Sequence, residues 1–264
     1  MLAKVSPVDF VRATTSGRTQ PALLNCERPD GEFIEVIAKF SSFCDEGVTN
    51  LAREVVAACL AGDLGLPIPE PVLIEVTDPW IGIIPPGVHR TKIASSARVA
   101  FGSKYAGPQF SLWSLGTTLL EEIAPVAAAV LVFDGIIQNV DRRSSNPNCL
   151  VKGDEIRIFD HELAFTHGMI LGWQPPWKMG GLRAMEVAGH HIFRGPLRGR
   201  EIDFGPIRHA WAGLSDARIE SYAQQLPNEW AAGATAAAAV AIALIKEARD
   251  NIDACLAEVQ RVLT

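Results

Sequence analysis

The pattern of apolar and polar residues divides the chain into a strand-rich first part and a helical second part. Phe33–Phe40 partly alternates apolar and polar side chains and is rich in β-branched and aromatic residues, which predicts a strand. Further strands are predicted at 71–76 and 98–101. Between them, apolar residues at helical spacing predict a helix from Leu51 to about Leu64, with Asn50 as its cap.

The second part begins with a long apolar stretch, Leu115–Ile137, in which Pro125 breaks or starts a helix. A polar loop follows, and two short strands at 149–151 and 156–159 are separated by a turn, which predicts a hairpin. Helices are predicted to close the chain at 215–225 and 231–263.

The composition is that of a globular chain. Of the 264 residues, 48% are hydrophobic and 20% are charged, which is enough apolar material for a sizeable core and excludes a mainly disordered chain. The net charge of −6 makes a broad basic face improbable. We therefore do not expect nucleic acid as the principal partner.

The cysteines and the apolar runs indicate a cytoplasmic protein without a membrane segment. Five scattered cysteines, with no pair at CxxC spacing, argue against a zinc site or a disulfide framework and fit a reducing compartment. The N-terminus lacks the apolar core of a signal peptide. The longest apolar run, 231–245, is too short and too rich in alanine for us to expect a membrane span.

Four separated elements occur in the order that phosphoryl transfer from ATP needs. The first is a small polar turn, in which a glycine allows backbone N–H groups to approach anionic oxygens, although a surface turn has the same composition. Its residues are Ser16, Gly17, Arg18 and Thr19. The second is Lys39 at the end of a predicted strand. Lys39 either faces solvent or points inward to hold phosphate oxygens, with Glu54 on the next helix to neutralise it.

The third and fourth elements carry carboxylates. Asp141 directly follows an apolar helix, where it either accepts a proton from a hydroxyl group or caps its own turn. Asn146 and Asn148 in the same loop are alternative candidates to place an amide oxygen on a metal ion. Asp160 ends the last strand of the hairpin and offers the hard oxygen ligand that Mg²⁺ requires. The hairpin should hold Asp141 and Asp160 close together, which favours a shared function.

The segments that carry this chemistry resemble the HipA-like kinase domain family. The residues concerned are 133–142, 146–150 and 158–165, and weaker likeness extends from about Thr14 to Trp230. The family is a branch of the protein-kinase-like fold, and its catalytic segment is also similar to that of phosphatidylinositol kinases. The resemblance implies an α+β, two-lobed, protein-kinase-like fold. A small strand-rich N-lobe would span 1–110, a mainly helical C-lobe would span 111–264, and ATP and Mg²⁺ would lie between them.

The resemblance also implies roles for the candidate residues. Asp141 would be the catalytic base, and Lys39, held by Glu54, would bind phosphate. Asp160 would be the principal Mg²⁺ ligand, with Asn146 matching the kinase spacing for a second ligand and Asn148 held in reserve. The turn from Ser16 to Thr19 would cover the phosphates. The segment 101–105, with Phe101 and Ser103, would supply backbone contacts to adenine.

The chain departs from ordinary protein kinases at three motifs. The phosphate loop holds the single glycine Gly17, Asn-Val-Asp ending at Asp141 replaces His-Arg-Asp, and Asp-His-Glu beginning at Asp160 replaces Asp-Phe-Gly. Regulation by an ordinary activation loop is therefore not expected. The resemblance favours a protein Ser or Thr as the acceptor, including the chain's own Thr14, Thr15, Ser16 or Thr19. A lipid or small-molecule hydroxyl is an alternative acceptor, and an inactive nucleotide-binding pseudokinase that serves as an interaction module is an alternative function.

Overall fold

The computed structural model describes residues 1–14 and 17–264. In this part of the chain the strands are β1 (Ala3–Ala13), β2 (Ala22–Glu27), β3 (Phe33–Lys39), β4 (Pro71–Glu75), β5 (Val99–Lys104), β6 (Ser111–Leu112), β7 (Cys149–Lys152) and β8 (Glu155–Ile158). The α-helices are α1 (Val48–Asp63), α2 (Asp78–Ile83), α3 (Val88–Ala94), α4 (Ala124–Ile137), α5 (Arg194–Leu197), α6 (Gly205–Ala212), α7 (Asp216–Glu220), α8 (Ala231–Asp250) and α9 (Ile252–Leu263). Single 3-10 turns lie at Ser41–Phe43, His167–Met169, Arg183–Glu186, Ala223–Gln225 and Asn228–Trp230.

The first five strands close into a barrel in the order β1-β2-β3-β5-β4. The parallel pairing of β1 with β4 closes it, and the other neighbours are antiparallel. Side chains such as Leu24, Val36 and Ile74 are fully buried in its core. Gly102 is required here, since a Cβ atom at that position would lie 2.5 Å from Val36 Cγ1 and 2.7 Å from Ile74 Cδ1. The sequence predicted a mixed α and β fold, which is confirmed, but it did not predict a closed barrel.

Strand alternation places functional side chains on the outside of the barrel. In β3, Val36 and Ala38 are buried in the barrel core, so Lys39 points to the opposite face. In β5, Gly102 faces inward, and Phe101 and Ser103 therefore face outward. These outward positions lie on the same wall of a cavity.

The helix α1 begins earlier than the sequence predicts. It starts at Val48, with Gly47 at the cap position and no side-chain cap. The prediction of Asn50 as the helix cap is wrong, because this residue lies in the first helical turn. Its Oδ1 accepts a hydrogen bond of 2.7 Å from the Glu46 N–H, and its Nδ2 donates to the Glu162 carbonyl at 3.1 Å. Asn50 therefore joins the helix to a distant segment.

The helical part is built around α4, which is apolar and buried over most of its length. Pro125 stands in its first turn, so the prediction that this proline starts a helix is confirmed, whereas 115–123 forms no helix. The predicted helix at 231–263 is divided at Asn251 into α8 and α9. Both pack against α4, and α8 also packs against α1.

The apolar run at 231–245, which alone is too short to cross a membrane, lies in a longer helical segment in the structure. Helix α8 and the turn before it cover 23 residues, 228–250, and this is the one helix in the described part of the chain that is long and apolar enough to cross a membrane. One face of α8, including Ala241, Leu244 and Ile245, is buried in the protein core. That face packs as a core helix does.

The predicted hairpin is present as β7 and β8, with β6 as a third strand beside β7. Gly153 in its two-residue turn has φ +58°, a conformation that glycine adopts without strain. The backbone N–H of Phe159 donates to the carbonyl of Asn148 at 3.1 Å. The hairpin thus brings Asp160, the second residue after β8, next to the loop that precedes β7.

Candidate active site

A cavity of about 510 Å³ is lined by residues of the barrel, of the loop between α4 and β7, and of the segment after β8. Eleven residues predicted from the sequence line it: Gly17, Arg18, Thr19, Lys39, Glu54, Phe101, Ser103, Asp141, Asn146, Asn148 and Asp160. The remaining one, Ser16, lies outside the described residues. The fold therefore brings the described candidates to a single cavity.

Lys39 points into this cavity and not to solvent, since it is 7% exposed. Its Nζ lies 2.5 Å from Asp160 Oδ1 and 3.1 Å from Glu54 Oε2. Burial alone would lower the pKa of the lysine, but the carboxylates of Asp160 and Glu54 outweigh burial and raise that pKa well above its usual value. Lys39 is therefore a buried ammonium group held by carboxylates.

Glu54 on α1 is the most enclosed of the carboxylates around Lys39. Its Oε2 accepts hydrogen bonds from Lys39 Nζ and, at 2.8 Å, from the backbone N–H of His161. Burial raises the pKa of this carboxyl group, but the charge of Lys39 and the hydrogen bonding of His161 overcome that effect and lower it. Glu54 stays ionised and fixes the lysine.

A third carboxylate, Glu162, also contacts the lysine. Its Oε2 lies 3.2 Å from Lys39 Nζ, and the residue is 5% exposed. Oxygen atoms of Glu54, Asp160 and Glu162 lie within 4.8 Å of one another. Burial raises the pKa of Glu162, the charge of Lys39 opposes this, and the nearby Asp160 and Glu54 reinforce it, so that the pKa is raised overall. One ammonium group thus faces three carboxylates.

The carboxylate of Asp141 is oriented by three side-chain donors. Its Oδ2 accepts hydrogen bonds from Asn146 Nδ2 at 2.7 Å and from Asn148 Nδ2 at 3.3 Å, and its Oδ1 accepts one from Arg143 at 3.0 Å. Both amide nitrogens therefore point to Asp141, which leaves the amide oxygens to face other groups. This orientation of the side-chain amide is common to Asn146 and Asn148.

Asp160 follows β8 in a left-handed backbone conformation. Its backbone has φ +63°, which is unusual for a residue with a side chain. Its side chain is 23% exposed, more than those of Glu54 and Glu162, which are 4% and 6% exposed. Asp160 is thus the carboxylate of the three that a ligand in the cavity can reach most directly.

A fully buried arginine joins the elements that carry these residues. Arg142, next to Asp141, donates from NH1 to the carbonyls of Asn148 and, at 3.2 Å, Phe159. Its Nε donates to Asp134 Oδ2 at 2.6 Å. One guanidinium group therefore ties α4, the loop after it, and both ends of the hairpin.

Two histidines extend this network, His161 at Arg142 and His191 at Asp134. The first contact involves the other terminal nitrogen of Arg142. Its NH2 lies 3.0 Å from His161 Nε2, and because arginine cannot accept a hydrogen bond, this nitrogen must accept. At the other end of the network, beyond the Arg142–Asp134 ion pair, His191 Nε2 donates to Asp134 Oδ2 at 3.0 Å. The charge of Arg142 and the hydrogen bond from His191 outweigh burial and hold the pKa of Asp134 well below its usual value.

In the predicted phosphate loop, Arg18 lines the cavity and contacts two acidic side chains. Gly17 has φ +99°, and the N–H of Gln20 donates to the Gly17 carbonyl at 3.1 Å, which makes a turn. The Arg18 guanidinium forms an ion pair with Asp45 and lies 3.7 Å from Glu162 Oε1. The loop is thereby attached to the carboxylates around Lys39.

The segment around Phe101 and Ser103 meets the cavity through its side chains. The backbone of these residues pairs with β3 on one side and β4 on the other. The next two N–H groups also donate inside the protein, from Lys104 to Glu70 and from Tyr105 to Glu35, each at 2.8 Å. These backbone N–H groups are therefore engaged inside the protein, and the backbone contacts of 101–105 to adenine stay a prediction.

The sequence as a whole matches the family model of HipA-like kinases over residues 8–259. This chain belongs to the HipA-like kinase family. The resemblance stated from residues 133–165 is thereby confirmed.

A solved structure supports the fold of this HipA-like kinase. The chain is similar to the crystal structure of a Helicobacter pylori proinflammatory kinase, CtkA, with a TM-score of 0.54 and 12% sequence identity over 99% of both chains. At this level of identity, the similarity concerns the fold. Comparison with curated proteins gives no match.

Sequence reasoning missed several residues of this HipA-like kinase's site. The local sequence pattern indicates no role for the residues Asp134, Arg142, His161, Glu162 and His191, which the structure joins in this network. The available signals were an aspartate inside an apolar helix and a glutamate where the kinase motif has glycine. Charged residues in such positions need buried partners.

Proposed function

We propose that this kinase transfers the γ-phosphoryl group of Mg·ATP to the hydroxyl group of a Ser or Thr side chain in a protein, including the chain itself. Residues 1–110 and 111–264 would act as the two lobes on either side of the cavity. The observation that carries the proposal is a single cavity in which the buried Lys39–Glu54 ion pair stands beside Asp141 and Asp160. Positioning and charge neutralisation supply most of the rate in this class of reaction.

The cavity has the size for a nucleotide and contains cationic side chains that could bind its phosphate groups. Its volume of about 510 Å³ lies within the usual range for ligand pockets. Lys39 would bind phosphate oxygens, as would the described loop residues Gly17, Arg18 and Thr19, and Ser16 beside them. Phe101 and Ser103 would contact the base with their side chains, which form part of the cavity wall.

The donor set also fits Mg²⁺, which takes oxygen ligands from carboxylates, amides and phosphates. Asp160 would be the principal ligand, because its carboxylate is the most accessible one next to Lys39. The amide oxygen of Asn146 or Asn148 would be the second, since both amide nitrogens are directed to Asp141. When bound, the ion would neutralise charge on the phosphate groups.

Asp141 would orient the acceptor hydroxyl and accept its proton. Three donors hold its carboxylate in one orientation, and the side chain is 14% exposed, so an acceptor can reach it from the cavity. A base held in this way matches the role of the catalytic aspartate in kinases.

The phosphate loop is a candidate for self-modification. Its hydroxyl residues are Thr14, Thr15, Ser16 and Thr19; Thr15 and Ser16 lie outside the described residues, and Thr19 is 4% exposed. A phosphate there would add about two negative charges where ATP phosphates bind, so modification should inhibit the enzyme.

The proposal is tested first by thermal unfolding with ATP in the presence and absence of Mg²⁺, which detects nucleotide binding. Intact-mass measurement after incubation with Mg·ATP then detects self-modification, and a panel of protein, lipid and small-molecule acceptors detects transfer to others. We expect stabilisation by Mg·ATP and transfer to Ser or Thr. Binding without transfer to any acceptor would identify a pseudokinase, and transfer only to a lipid or small molecule would identify the alternative acceptor.

A further inference from the structure

Glu162 lies at the meeting point of two cationic side chains. Its Oε2 is 3.2 Å from Lys39 Nζ, and its Oε1 is 3.7 Å from Arg18 NH2. Its backbone carbonyl accepts a hydrogen bond of 3.1 Å from Asn50 Nδ2 on α1. The residue is 5% exposed. Glu162 is therefore fixed between the phosphate loop and the phosphate-binding lysine.

The charge around this point is not balanced. Lys39 lies among the carboxylates of Glu54, Asp160 and Glu162, whereas Arg18 is shared between Glu162 and the exposed Asp45. Two cationic groups thus face four carboxylates.

This excess opposes the binding of a bare triphosphate. A phosphate oxygen bound to the same ammonium group would lie within about 6 Å of the Glu162 carboxylate, since each would be about 3 Å from Nζ. Like charges at that distance repel each other appreciably in a partly buried site. A divalent cation that arrives with the nucleotide offsets the repulsion.

We infer that Glu162 sets the metal requirement of nucleotide binding: its carboxylate excludes nucleotide that arrives without a divalent cation and tolerates the metal complex. This inference rests on the proposed function, because it assumes that Lys39 binds phosphate. Glu162 is the specificity-determining group of the three carboxylates. Glu54 is committed to Lys39 and the His161 N–H, and Asp160 is the proposed metal ligand. In the Asp-Phe-Gly motif, the position of Glu162 is a glycine, which contributes no such charge.

The experiment is calorimetric binding of a nonhydrolysable ATP analogue in excess Mg²⁺ and in EDTA. The proteins are the wild type, Glu162→Gln, Glu162→Asp and the control Glu70→Gln. Glu70→Gln removes a carboxylate of the barrel region that pairs with Arg28, so it reports the effect of net charge alone. Thermal unfolding verifies that each variant folds.

We expect the wild type to bind the analogue much more tightly with Mg²⁺ than in EDTA. Glu162→Gln should bind it about tenfold more tightly in EDTA, with a much smaller change in Mg²⁺. Glu162→Asp keeps the charge and should keep the wild-type ratio, and Glu70→Gln should match the wild type. If Glu162→Gln does not fold, loss of the wild-type ratio in Glu162→Asp overturns the inference.

Two outcomes separate this inference from the proposed function. A wild type that binds the analogue while Glu162→Gln shows the same ratio overturns the inference and leaves the kinase proposal standing. Weaker Mg²⁺-dependent binding by Glu162→Gln, with binding in EDTA unchanged, would make Glu162 a metal ligand and also overturn it. A wild type that binds no nucleotide under either condition overturns both.

Discussion

Arg142 uses all five of its N–H donors inside the protein. Two donate to the carboxylate of Asp134, two to the carbonyls of Asn148 and Phe159, and one to His161. Lysine cannot replace it, because an ammonium group offers three donors without the planar fork. This residue therefore determines how the loop of Asp141 and the end of β8 lie relative to α4.

Replacing Arg142 should destabilise the protein strongly. Arg142→Met leaves Asp134 buried without its cationic partner, with side-chain hydrogen bonds from Asn139 and His191 alone in the described part of the chain. Breaking a buried ion pair costs about 3–5 kcal/mol in unfolding free energy. The matched control is the neighbouring Arg143→Met, whose partly exposed pair should contribute less than about 1 kcal/mol. Urea denaturation measures both, and equal stability of the two variants would refute this account of the network.

His191 is bonded as a neutral imidazole. Its Nε2 donates to Asp134, and its Nδ1 accepts from the Phe193 N–H at 3.2 Å. If Nδ1 carried a proton, it could no longer accept this hydrogen bond, and the two N–H groups would point at each other. Burial lowers the pKa of His191 further than the carboxylate of Asp134 raises it, and the nearby Arg142 adds to the lowering.

This depressed pKa predicts a loss of stability in mild acid. The unfolded histidine binds a proton near pH 6.5, whereas the folded one does not, so the unfolding free energy should fall as the pH drops below about 6.5. His191→Gln keeps a donor for Asp134 but does not titrate. Urea midpoints at pH 7.5 and 5.5 should therefore differ less in this variant than in the wild type, and an unchanged difference would contradict the assignment.

Sequence proximity explains part of the predicted site, and the family resemblance supplied the distant residues, such as Lys39. Asp141, Asn146 and Asp160 belong to one loop and the hairpin that follows it, so their convergence follows from local structure. Glu162 and Lys39 are 123 positions apart, and their contact depends on how β3 lies against the segment after β8. No local pattern in the sequence carries that information.

Among the elements, strands β1 and β2 were not predicted. In β1, Pro7 and several charged residues interrupt the alternation, and its pairing with β2 has irregularities at 7–9 and 10–12. The strand exists because β2 and β4 pair with it and close the barrel. This is a tertiary effect, which also accounts for the unpredicted barrel.

The barrel depends on the missing side chain at Gly102. Gly102→Ala would force a Cβ atom against Val36 and Ile74, and overpacking of this kind costs about 1–3 kcal/mol in unfolding free energy. The control is Gly62→Ala in α1, where no other atom lies within 4 Å of the new Cβ and alanine should stabilise the helix by about 0.5–1 kcal/mol. Denaturation should show opposite signs, and a neutral Gly102→Ala would mean that the barrel can expand.

In the whole molecule, one chain of contacts joins the barrel to the helical part. It runs from Lys39 through Glu54, His161 and Arg142 to Asp134. The sequence predicted the division into a strand-rich and a helical part, because the hydrophobic pattern changes between them. The Lys39–Glu54 contact was predicted, whereas the contacts through His161 and Arg142 were not, since they need residues from distant elements.

The proposed role of Asp141 is to act on the acceptor and not on nucleotide binding. The most direct measurement compares transfer of label from γ-labelled ATP by the wild type, Asp141→Asn and the control Asp154→Asn in the exposed hairpin turn, with calorimetric binding of a nonhydrolysable ATP analogue and Mg²⁺ by each. We expect Asp141→Asn to bind the analogue normally and to lose about 10²–10⁴-fold in transfer rate, while Asp154→Asn should retain both. Transfer by Asp141→Asn at the wild-type rate would contradict this role.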